Sequence, residues 1–71
     1  SGEKEQALAS YRQAVESFPR STQAPLCLLR IARMRYDAGQ IDEAVKAYTQ
    51  VVEKYAATPQ AADAYYGLGI V

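Results

Sequence analysis

The stretch GQIDEAVKAYTQVVEKY, residues 39–55, decides the fold. Its apolar residues Ala44, Tyr48, Val51, Val52 and Tyr55 recur at i, i+4, i+7, i+8 and i+11. That spacing makes one stripe on a 3.6-residue helix and excludes the two-residue alternation of a half-buried strand. Asp42, Glu43, Lys46, Gln50, Glu53 and Lys54 take the other faces. Asp42 and Lys46, four apart with the acid first, are expected to pair on the solvated side for about 0.3 kcal/mol. Gly39 stands in front of the stripe, where a residue without a Cβ accommodates the left-handed cap that ends a preceding helix.

Moved back by 37 residues, the stretch meets itself. Gly2, Ala7, Tyr11, Gln13, Val15, Glu16, Gln23 and Ala24 coincide with Gly39, Ala44, Tyr48, Gln50, Val52, Glu53, Gln60 and Ala61. Near-matches agree in size and polarity: Glu5 with Asp42, Leu8 with Val45, Phe18 with Tyr55, Ser21 with Thr58, Ile31 with Leu68 and Ala32 with Gly69. The earlier copy therefore carries a second apolar stripe, Ala7, Tyr11, Ala14, Val15 and Phe18. Between the copies, residues 21–38 are apolar on most of their circumference, with Arg30, Arg33 and Asp37 as the one polar stripe. Such a helix is expected to be covered on more than one side. Pro19 closes the first helix, Ser21 or Thr22 caps the second with Pro25 in its first turn, and Thr58-Pro59 opens the fourth. The expectation is four helices over 3–18, 22–38, 41–55 and 59–71.

These residues resemble the tetratricopeptide repeat, a helix pair with an aromatic, Leu-Gly and a second aromatic on its first helix and a small residue followed by an aromatic on its second. Tyr65-x-x-Leu68-Gly69 resembles the opening, Gly39 through Ala44-x-x-x-Tyr48 the middle, and Ala7-x-x-x-Tyr11 with Pro19 the middle and close. Leu28, Ile31 and Ala32 fill the opening slots of the central repeat in weaker form, with Arg35 in its next aromatic slot and Ala56 at its closing position. The resemblance implies an all-α, right-handed α-solenoid fragment of antiparallel helix pairs. It divides the single domain 1–71 into the second half of a repeat at 2–21, a full repeat at 22–58 and the first half of another at 59–71. Ala32, Ala44 and Gly69 would stand where helices approach closely, with aromatics such as Tyr65 filling the gaps. The period of 37 exceeds the usual length of about 34. This longer form resembles repeats of bacterial cell-envelope proteins, such as the outer-membrane assembly lipoprotein and the periplasmic partner of the Tol-Pal system. A periplasmic address follows from that resemblance, and a cytoplasmic one stays open beside it.

Composition narrows the function. Eight basic and eight acidic side chains are interspersed along 71 residues, so no basic field draws phosphate backbones or anionic lipid. Arg30 and Arg33 share a face from which Arg35 turns away, which argues further against nucleic acid. No apolar run is long enough for membrane insertion. With no His and the single Cys27 there is no metal-ligand cluster, no disulfide within the chain and no thiol–imidazole pair, and Cys27 is expected to pack as a buried thiol. No catalytic residue, metal or cofactor is expected. At this length a core supplies roughly 3–5 kcal/mol, so neighbouring protein is the expected stabiliser.

In the family the first helix of each repeat lines the concave surface. The resemblance implies a partner-binding groove of Leu26, Leu29, Arg33, Tyr36 and Asp37, continued by Asp63, Tyr66 and Ile70. Apolar and aromatic with one cation and two acids, it suits a peptide or protein with apolar anchors and an acidic group. The Lys and Asn set that some relatives use to clamp a C-terminal carboxylate is not seen, Leu29 and Arg33 standing in the first helix's slots. The same apolar residues could equally be covered by the rest of an array. Out-of-phase ends leave Glu3 to Phe18 without an inner helix and Tyr65, Tyr66, Leu68, Ile70 and Val71 without an outer one, so homo-oligomerisation by stacking or helix exchange is the alternative.

Overall fold

The computed structural model describes residues 2–70. Four helices follow one another: α1 (Gly2–Ser17), α2 (Gln23–Asp37), α3 (Ile41–Lys54) and α4 (Pro59–Ile70). They match the expected ranges to within a residue, except that Val71 of the fourth lies outside the described residues. The chain is an all-α solenoid fragment measuring 34 × 28 × 15 Å. α2 packs against α1, α3 and α4, and α3 also packs against α4, whereas α1 touches only α2 among the helices. Contact on three sides explains why α2 has so little polar circumference.

The helix ends show how the sequence punctuates the backbone. Gly39 takes φ +80°, the left-handed conformation expected of it. The Gly39 amide donates to the Tyr36 carbonyl at 3.0 Å and the Gln40 amide to the Arg35 carbonyl at 2.8 Å, the paired bonds of a Schellman stop. Arg35 Nη1 donates to Gln40 Oε1 across the same turn at 2.6 Å. At the start of α2, Ser21 Oγ and not Thr22 accepts a backbone bond, from the Gln23 amide at 3.1 Å. Thr58 behaves otherwise than expected. Its hydroxyl donates back to the Tyr55 carbonyl at 2.6 Å, satisfying the end of α3 instead of capping α4. Lys46 pairs with Glu43, Nζ to Oε1 at 3.5 Å, and not with Asp42. Both side chains are exposed, so the pair contributes only tenths of a kcal/mol (about 0.3).

The core lies between α2 and α3. Leu28, Ile31, Ala32, Ala44, Ala47, Tyr48 and Val51 form one buried cluster, joined by Ala64 from α4. Small residues let the helix axes approach while Tyr48 and Val51, the largest fully buried side chains, fill the space between them. From α1, Leu8, Tyr11 and Val15 pack against this cluster half-buried. No residue of α1 is fully buried. Phe18, expected on its apolar stripe, lies past the helix end and is exposed. Cys27 is half-buried, less enclosed than expected.

One long-range bond ties the layers together. Tyr55 Oη donates to the Pro19 carbonyl at 2.6 Å, joining the end of α3 to the turn between α1 and α2. Tyr55→Phe keeps the ring and removes the donor. It should lower stability by about 0.5–1.5 kcal/mol, read as a shifted denaturation midpoint with unchanged slope. An unchanged midpoint would show that water replaces the bond at no cost.

Candidate functional site

The four α2 residues Leu26, Leu29, Arg33 and Asp37 recur on one side of the helix because three- and four-residue steps return to the same face. They line one open depression of about 460 Å³ together with Arg30, Met34 and, from α1, Tyr11. Leu26 and Leu29 are half-buried and make its apolar part, while Arg33 and Asp37 are exposed and supply opposite charges.

Tyr11, like Arg30 and Met34, lines the depression without having been assigned to the groove from sequence. Its counterpart Tyr48 is 2 % exposed, whereas Tyr11 is half-buried. The facing positions account for part of the difference. Tyr48 lies against Gly67 of α4, so close that a Cβ there would overlap the ring atoms Cζ, Cε1 and Cε2. Thirty-seven residues earlier, the place of Gly67 is held by Arg30, which lines the depression beside Tyr11. A long side chain cannot admit an aromatic face as bare backbone does, so Tyr11 stays accessible. The signal was present in the pair Gly67 and Gly69, but their roles could not be told apart from spacing. The close approach expected of Gly69 is made instead by Gly67, and Gly69 meets nothing within 4 Å.

Tyr36 does not line the depression. It packs half-buried against the core, near the Tyr48 phenol. Burial raises the Tyr48 pKa above its ordinary value, Arg33 opposes the shift, and Asp37 and Tyr36 add to it. Arg33 and Asp37 thus line the depression with Tyr11 and also act electrostatically on Tyr48. Asp63, Tyr66 and Ile70 are exposed on α4 and are not brought into this depression. Tyr65, expected in a packing slot, is 62 % exposed, and Tyr66 is 74 % exposed. Leu68 is half-buried against the core.

Among the described residues no group of three or more His, Cys, Asp or Glu side chains is placed to hold a metal ion. No helix there is long and apolar enough to cross a membrane. The depression brings together two arginines, a carboxylate, two leucines and a methionine from α2 and a tyrosine from α1.

Comparison with known proteins agrees with this geometry. A tetratricopeptide repeat model matches residues 29–71, and a second tetratricopeptide repeat model matches residues 1–21. No curated protein and no solved structure matches the chain significantly. Repeats of this kind generally mediate protein–protein interaction and scaffolding and are typically non-catalytic. With most of its length matched and four helices packed as a solenoid, the chain belongs to the tetratricopeptide repeat family.

Proposed function

We propose that the chain is a non-catalytic interaction scaffold that holds a peptide or protein partner along α2. The observation that carries this reading is the depression shared by Leu26, Leu29, Arg33, Asp37 and Tyr11. Arg33 gives it a forked cation suited to a carboxylate, and the leucines and Tyr11 give it apolar purchase. Asp63, Tyr66 and Ile70, exposed on α4 outside the depression, would be a separate second contact region. The bound segment would carry an acidic side chain flanked by apolar or aromatic anchors. A bacterial cell-envelope setting fits the 37-residue period.

An array of short peptides varying in acidic and aromatic content tests the reading. Acidic–aromatic peptides should be retained, and added salt should weaken them. Arg33→Ala combined with Leu26→Ala, both lining the depression, should lower their affinity by about tenfold or more, with helicity kept by circular dichroism. Retention independent of both residues would remove the groove from the account.

A second reading, self-association, is favoured by the exposure of Phe18 on one end and of Tyr65 and Tyr66 on the other. Large apolar side chains left open on a small domain are typical of surfaces that meet protein.

A further inference from the structure

We propose that the cleft between α1 and α3 is a second docking site, which takes an acidic peptide segment carrying aliphatic side chains. It goes beyond the groove reading, because it lies on the other side of α2. Leu28, Ile31 and Arg35 line it, each two residues on from Leu26, Leu29 and Arg33 of the groove, a turn of about 200° around the helix. The two surfaces share no residue.

The cleft exists because α1 and α3 both pack on α2 without touching one another. It is an open depression of about 300 Å³. Leu28 and Ile31 form its base with Ala47, and the half-buried Val15 makes part of its wall on α1. Arg35 stands in the slot where the repeat pattern has its second aromatic. A ring in that place would fill apolar space. The guanidinium is instead drawn to the following turn, where Nη1 donates to Gln40 Oε1 at 2.6 Å.

Charge selects the occupant. Each of the three helices puts one cation on the cleft, Arg12 from α1, Arg35 from α2 and Lys46 from α3. Of the two carboxylates beside them, Glu43 is taken by Lys46 at 3.5 Å. Glu16 makes no ion pair, and neither arginine meets a carboxylate among the described residues. Arg35 is half-buried and held by Gln40, so one forked cation is already oriented with most of its five donors unused. Arg12 brings a second from another helix. Two guanidiniums beside an apolar base suit a carboxylate with an aliphatic neighbour, the first meeting the donors and the second reaching the base. An anion without an apolar part would leave the base uncovered.

A fluorescein-labelled peptide of alternating aspartate and isoleucine, titrated with the 71-residue chain, should bind saturably, and added salt should weaken it. Amide resonances around Arg12 and Lys46 should move with the titration, and those around Leu26 and Arg33 should not. Arg12→Glu, at an exposed position, should keep the helicity and weaken the peptide by about tenfold or more. Leu26→Ala with Arg33→Ala, on the opposite face, should leave its affinity unchanged. No saturation at millimolar peptide, equal affinity in Arg12→Glu, or loss of binding in the Leu26 and Arg33 variant would overturn the site. Equal binding of a peptide with serine in place of isoleucine would reduce it to an anion contact and overturn the docking of a segment. None of these results touches the groove, which is read with aromatic peptides and its own two substitutions.

Discussion

Tyr48→Ala is expected to leave the chain without a cooperative thermal transition. Tyr48 is buried to 2 % exposure at the centre of the α2–α3 core, with its ring against the bare backbone of Gly67. Truncating a buried aromatic removes its transfer free energy and leaves a cavity, at a typical cost of about 3–5 kcal/mol. A core of this length supplies a margin of roughly the same size. Four helices cannot collapse freely into the gap, because Ala44, Ala47 and Val51 already fix the approach of α3 to α2. A far-ultraviolet circular dichroism melt decides the matter, and a midpoint equal to that of the parent would remove Tyr48 from the centre of the core.

The second large effect is a contrast between two glycines of one helix. Gly67→Ala puts a methyl group into the Tyr48 ring, which is itself buried to 2 % exposure. Overpacking of a filled core costs about 1–3 kcal/mol, with more expected here because the overlap is with a whole ring edge. Alanine's helix propensity returns at most about 1 kcal/mol. Gly69→Ala meets no atom within 4 Å, so in dilute solution only the propensity gain applies. For a domain of this size each kcal/mol moves the melting temperature by about 4–8 °C. The two alanines, two residues apart, should therefore shift the midpoint in opposite directions. Equal shifts would contradict the packing of α4 on Tyr48.

Much of the fold is legible in the residues. The stripe from Ala44 to Tyr55 and its copy from Ala7 to Phe18 require helices, and Gly39 requires a left-handed stop; both follow from local geometry. The side-chain bonds at the turns are less legible. Ser21 and Thr58 occupy corresponding places, yet the first accepts from an amide and the second donates to a carbonyl. A hydroxyl serves either purpose, and the local turn selects one. Tyr55 and Pro19 meet across 36 positions of sequence, and nothing in either segment announces the bond.

The candidate site was legible in part. Leu26, Leu29, Arg33 and Asp37 share a face by helical spacing alone, and the structure brings these four together. Tyr11 joins them because the neighbouring helix offers Arg30 where α4 offers Gly67. Tyr36 turns instead toward Tyr48, and Asp63, Tyr66 and Ile70 stand apart on α4.

By itself, the sequence determined the helices, their order, their punctuation and the repeated pattern of small and aromatic residues, because each depends on steps of three or four residues or on one backbone conformation. Only the tertiary structure decided which copy of that pattern is covered. Ala44 and Ala7, Tyr48 and Tyr11, and Leu28 and Tyr65 hold corresponding places in the repeat, yet one of each pair is buried and the other is half-buried or exposed. Burial is a property of neighbours, and a periodic sequence prescribes the same face at every turn of the array whether or not another helix stands against it.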